Sequence, residues 1–101
     1  MSGADRLSSF QASLKGDAPP AYAKGALEAH WNVGKGRFGR ALELIENDAS
    51  EDAAWVRAHL HRRKGEDAEA ATWYAKAGRP PSGFQPGPEW DEIAGALLLH
   101  I

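Results

Sequence analysis

"RAHLHRRKGEDAEAATWYAKA", Arg57 to Ala77, decides the fold once it is set beside "EAHWNVGKGRFGRALELIEND", Glu28 to Asp48. At a shift of 29 residues, Ala29 meets Ala58, His30 meets His59 and Gly36 meets Gly65. Ala41 then meets Ala70, Leu44 meets Trp73 and Ile45 meets Tyr74. Each copy reads as a helix, a glycine turn and a second helix in which a small residue faces a large one. Alanine at a crossing lets two helices approach closely, and the large residue four positions on fills the groove between neighbouring turns. Neither hairpin covers its own apolar face, so the two must stack, and terminal helices must cap the stack.

Working outward, punctuation divides the chain into about six helical pieces. Leu7, Phe10 and Leu14 mark one apolar stripe of a helix over Ala4–Lys15, the core of an N-terminal capping segment, 1–19. "DAPP" supplies an exit, and Pro20 suits the first turn of the next helix, where its missing N–H costs nothing. The first hairpin is expected over 20–48, with helices at Pro20–Val33 and Arg37–Asn47, and the second over 49–78, with helices at Glu51–Lys64 and Glu66–Gly78. Asp48 and Ser50 are the candidate N-caps before "ED". "RPPSGFQPGP", residues 79–88, carries four prolines and two glycines and is expected to be a non-helical, lid-like loop. A C-terminal helix over 89–101 ends the chain.

Composition agrees. The 101 residues suggest one domain, and 43% apolar with 26% charged residues is soluble globular usage. Alanine dominates, while Val occurs only at 33 and 56 and Ile only at 45, 93 and 101, too few for a sheet. The fold class expected is all-α. A formal charge of −2 argues against binding nucleic acid through its phosphates. With no cysteine there is no disulfide or thiol chemistry, which fits a reducing compartment. No signal peptide is legible, and "ALLLHI" is too short to span a bilayer, so the cytoplasm is the expected location.

"G-x-x-x-x-A-x-x-x-Y-x-x-A" (Gly65, Ala70, Tyr74, Ala77) resembles the second half of a tetratricopeptide repeat. The first copy matches through Gly36, Phe38 and Ala41, and has Ile45 and Asp48 where the aromatic and the last small residue would stand. "AAWVRAHLHRRKGEDAEAATWYAKAGRP" with the tail "EWDEIAGALL" is also similar to a family of small uncharacterised bacterial proteins with an "AxxHRxEGDxxNAxYWYRRAGRP" core. That resemblance spans roughly Gly25 to Leu98 and implies a tetratricopeptide-like helical fold, with no established activity.

The crowded histidines and arginines raise the question of a reactive site. One helix presents two metal ligands in the same direction only at i, i+3 or i+4. His59 and His61 stand at i, i+2 and so face different sides. His30 and His59 occupy equivalent repeat positions and can approach across the packing, with no evident carboxylate partner; no metal or other cofactor is expected. His59 lies on the apolar side with Trp55 and Leu60, whereas His61 is expected to be exposed. Arg62, Arg63 and Lys64 complement the carbonyl end of one helix, and Glu66 and Asp67 the amide end of the next. No Ser-His-Asp order, dinucleotide fingerprint or His-Glu-x-x-His motif occurs, and "GKGRFG" lacks the Lys-Ser/Thr ending of a phosphate loop. An enzyme is therefore not the expected class.

Tyr74 takes the inner position of its hairpin, leaving Trp73 for a neighbouring helix or a partner groove. The expected role is a protein- or peptide-binding scaffold in which Trp73, His61, Arg62 and Arg79 line a surface for an acidic or C-terminal peptide segment. Arginine suits this because its fork grips a carboxylate with two hydrogen bonds. The competing expectation is a small-molecule or anion pocket around His59, Arg62 and Arg63. The apolar "ALLLHI" end offers a third use, a homodimer through the C-terminal helix.

Overall fold

The computed structural model describes residues 3–83 and 85–101. Six helices follow one another: α1 (Gly3–Ser13), α2 (Gly25–Gly34), α3 (Phe38–Ile45), α4 (Glu51–Arg63), α5 (Asp67–Ala77) and α6 (Pro86–Leu98). The all-α class holds, and the described residues contain no strand. The two most extensive helix pairings are α4 with α5 and α2 with α3, the two hairpins expected from the repeat. α2 and α4 lie side by side, α6 packs on both of them, and α1 packs on α6. α4 is the central helix, touching α2, α3, α5 and α6.

The internal repeat is a repeat of geometry. In the first turn the Gly36 amide donates to the Val33 carbonyl at 2.9 Å and the Arg37 amide to the Asn32 carbonyl at 2.8 Å. In the second, 29 residues on, the Gly65 amide donates to the Arg62 carbonyl at 3.0 Å and the Glu66 amide to the His61 carbonyl at 2.9 Å. Both glycines have φ of +77°, a region that side-chain-bearing residues rarely enter. Burial repeats as well. Ala29 and Ala58, His30 and His59, Asn32 and His61, Ala41 and Ala70, and Ile45 and Tyr74 are all buried.

Several boundaries differ from those read in the sequence; α1 ends at Ser13 and not Lys15, and α6 at Leu98 and not at residue 101. α2 starts at Gly25 and not at Pro20, because the Ala23 amide closes a tight turn onto the Pro20 carbonyl at 3.0 Å and Lys24 is extended. α6 starts at Pro86, so the expected loop over 79–88 loses its last three residues to helix. Both prolines are tolerated there because the first helical amide to find a carbonyl within the chain turn is that of Glu89, which donates to Gln85 at 3.0 Å. Phe84, in the same segment, lies outside the described residues. Between the hairpins Ser50 is the N-cap, its hydroxyl accepting from the Ala53 amide at 3.1 Å, while the Asp48 carboxylate accepts from the Ser50 amide at 2.9 Å. Helix α3 also ends at Ile45, two residues before the expected Asn47.

α6 is seated by one close approach. A Cβ added at Gly34 would stand 2.9 Å from the Trp90 ring, so the end of α2 must be bare where the indole lies across it. Trp90 stacks on Phe10 of α1 on one side, with ring centroids 5.7 Å apart, and on His30 of α2, at 4.9 Å. Leu97 and Leu98 complete the buried stripe, whereas Leu99 and Ile101 are exposed, Ile101 near Tyr22.

Gly36→Ala and Gly65→Ala, which meet no neighbouring atom but force a positive φ, should each cost about 1 kcal/mol by urea denaturation, and by similar amounts. Gly34→Ala, which strikes an indole in a packed core, should cost more, about 2 kcal/mol.

Candidate functional site

The interior holds a group of polar side chains that most cores avoid. His30, His59 and Glu89 have no exposed surface. Glu89 sits in the first turn of α6, and its carboxylate is the hub. Oε1 accepts from His59 Nδ1 at 2.7 Å and from the Arg62 guanidinium at 3.0 Å; Oε2 accepts a short hydrogen bond from the Tyr74 hydroxyl. An ionised carboxylate only accepts, so the His59 ring carries its proton on Nδ1. The donors come from α4 and α5 and the acceptor from α6, which ties the second hairpin to the capping helix. A buried charge is tolerable only when paired and hydrogen-bonded, and here one carboxylate has three donors.

The hub sets the protonation of its members. Burial pushes the Glu89 carboxyl upward, but the bonds from His59 and Tyr74, the charge of His59 and the bond from Arg62 outweigh it and hold it below the usual carboxylate range. Burial, reinforced by the carboxylate that its hydroxyl contacts, raises Tyr74 well above an ordinary phenol. Tyr74 is therefore a donor that keeps its proton and not a base.

His30 closes the network on the other side. Its Nε2–H donates to the Trp90 carbonyl at 2.9 Å, and the Trp90 indole N–H donates back to the His30 carbonyl at 3.0 Å. The His30 and His59 rings lie 5.4 Å apart, as their repeat positions suggested. Burial first, and the neighbouring His59 second, lower the His30 pKa from 6.5 to about 3. It is a neutral ring at physiological pH.

The residues singled out in the sequence fall in five places. His59 and Arg62 join Glu89. His61 is buried and not exposed, a correction whose reason is the centrality of α4: with neighbours on several sides, that helix has little free face to give the i+2 histidine. Its Nδ1 donates to Glu66 Oε1 at 2.8 Å across the glycine turn. Arg63 is exposed and reaches the Phe38 ring, 5.8 Å away, on α3. Arg79 lies over Trp55 at 3.6 Å, beside Pro80, Pro81 and Glu92, and Arg62 borders Pro81 from the Tyr74 side. Trp73 is apart from all of these. It is half-buried between the Arg57 guanidinium and the Lys76 ammonium, each 4.2 Å from its ring, at the edge of a groove of about 440 Å³.

Sequence reasoning missed Glu89 as the carboxylate partner of His59. The signal was there. Glu89 stands four and eight residues before Ile93 and Leu97, on the buried stripe of α6, where a lone acid is expected to have a cation or a histidine opposite.

Comparison with protein-family models, with curated proteins and with solved structures finds no match for this chain.

Tyr74→Phe, which removes a hydrogen bond to a buried charge, should cost about 2 kcal/mol in chemical denaturation. Glu89→Leu, which strands Arg62 and His59, should cost about 3 kcal/mol or more. Acid should also destabilise the fold. The unfolded chain takes up a proton at His30 below pH 6.5 that the folded chain refuses down to about pH 3. Stability from this group is thus complete above pH 6.5 and falls by up to about 1.4 kcal/mol per pH unit below it. Glu89, with its lowered pKa, adds a loss in the same direction at more acid pH. His30→Gln, which keeps a donor for the Trp90 carbonyl, should flatten the decline in melting temperature between pH 6.5 and 5; an unchanged slope would assign it elsewhere.

Proposed function

We propose that the protein is a non-enzymatic peptide- or protein-binding module whose groove runs between the α3–α4 connection and α5. The observation that carries this reading is the state of Trp73. Trp31, Trp55 and Trp90 are buried in the core, whereas Trp73 keeps exposed surface at the open groove with Glu46, Asp48, Ser50, Ala54 and Lys76 around it. A rigid aromatic with two cations beside it offers both apolar area and charge to an incoming chain at low conformational cost.

The hairpin stack supports the same role. Tetratricopeptide-like hairpins present grooves between successive units, and the groove here lies at the junction of the first hairpin with the second. The pocket expected around His59, Arg62 and Arg63 has less support, since His59 is sealed, Arg62 is committed to Glu89 and Arg63 turns toward Phe38. His61 likewise leaves the expected peptide-binding set, and Arg79 borders a separate recess. No described helix is long and apolar enough to cross a membrane.

A random peptide library selected against the immobilised protein should enrich sequences in which an aromatic or aliphatic anchor sits beside acidic residues. Trp73→Ala should weaken those peptides by about tenfold or more, as expected for a hot-spot aromatic, while leaving the melting temperature close to that of the parent. Enrichment that survives Trp73→Ala unchanged would move the binding surface elsewhere.

A further inference from the structure

The turn that closes the second hairpin gathers three metal-ligating side chains. His61 comes from the last turn of α4, Glu66 is the N-cap of α5, and Glu69 lies in the first turn of α5. His61 Nδ1 is 2.8 Å from Glu66 Oε1 and 3.5 Å from Glu69 Oε2, and one donor atom from each residue lies within 4.8 Å of the others. Nitrogen and oxygen ligands held about 2.0–2.2 Å from one cation stand roughly 2.9 Å apart at right angles and roughly 3.4 Å apart in a tetrahedron. The two histidine-to-carboxylate spacings bracket those values, and the two carboxylates, within 4.8 Å of each other, can close on a cation by side-chain rotation.

The first hairpin provides a control within the same molecule. Its turn has the same backbone hydrogen bonds and the same glycine φ, yet the equivalent positions are Asn32, Arg37 and Arg40. The hairpin therefore needs neither a histidine nor two carboxylates there. His61 adds an independent sign. The residue is only 6% exposed, and among the described residues its Nδ1 finds partners only in the two glutamates, so a buried ring nitrogen is aimed into the cluster. The two carboxylates make the cluster acidic. Lys64, whose Nζ is 3.5 Å from Glu66 Oε1, offsets part of that charge and is exposed enough to swing aside. The Glu66 carboxyl is held below its usual range, first by the bond from His61, so it is ionised at neutral pH.

We propose that His61, Glu66 and Glu69 form a divalent-cation site on the second hairpin. One nitrogen and two oxygens, with the outer side open to water at Glu69, suit Zn²⁺ and similar transition ions better than Mg²⁺ or Ca²⁺, which prefer all-oxygen shells. Ligation at Nδ1 moves the ring proton to the buried Nε2, which opposes binding and places the affinity nearer micromolar than nanomolar.

Isothermal titration of the full chain with zinc chloride tests this. One equivalent should bind, and magnesium chloride under the same conditions should give no heat. Glu69→Ala, at an exposed position, should weaken zinc by about tenfold or more. The triple variant His61→Asn, Glu66→Arg, Glu69→Arg, which copies the first hairpin, should retain the helical circular dichroism and lose zinc binding. If that triple variant does not fold, His61→Asn alone supplies the comparison. Absence of zinc binding by the parent chain, or binding undiminished by Glu69→Ala and by whichever of the other two variants folds, overturns the proposal.

Discussion

One buried carboxylate organises this molecule. Glu89 is carried by a helix that belongs to neither hairpin, yet all three of its donors belong to the second. Each donor alone would contribute modestly, whereas a carboxylate left without them would cost several kcal/mol. The network therefore acts less as a source of net stability than as a condition of assembly: α6 can be buried only in the register that brings Glu89 to His59, Arg62 and Tyr74. The neighbouring Trp90 makes the same demand in shape, because its indole fits only over the bare Cα of Gly34.

Seen this way, the two histidines at equivalent repeat positions have related duties. Each spends one ring nitrogen on the N-terminal part of α6, His59 on the Glu89 carboxylate and His30 on the Trp90 carbonyl. The first helix of each hairpin thus contributes one imidazole to hold one capping helix. The repeat is used for symmetry of attachment, while the other residues facing α6 differ between copies. A cluster that looked reactive in the sequence is mostly a joint.

Much of this was legible beforehand and some was not. Helix number, the two glycine turns, the inward Tyr74 and the approach of His30 to His59 all follow from the 29-residue shift and helical periodicity. These are local or repeat-borne signals. The burial of His61 was not legible, because it depends on how many neighbours α4 has, and that is a property of the stack. The start of α6 was misread because proline was counted as a breaker where unused amides make it harmless. Glu89 was missed for a different reason: it was read only as the first residue of the last helix, although its place on the apolar stripe with Ile93 and Leu97 already required a partner.

The position of α6 in chain order carries one more implication. During synthesis both hairpins precede the helix that covers them, so α2 and α4 must wait with an apolar face in water. The contacts that end this wait join residues 15 to 60 positions apart, from Tyr74 with Glu89 to His30 with Trp90. Hairpin closure is local and fast, whereas capping closes longer loops. The chain therefore assembles from two early, similar units and a late third that meets both, and the interval before the third arrives is when its surfaces are open to other chains.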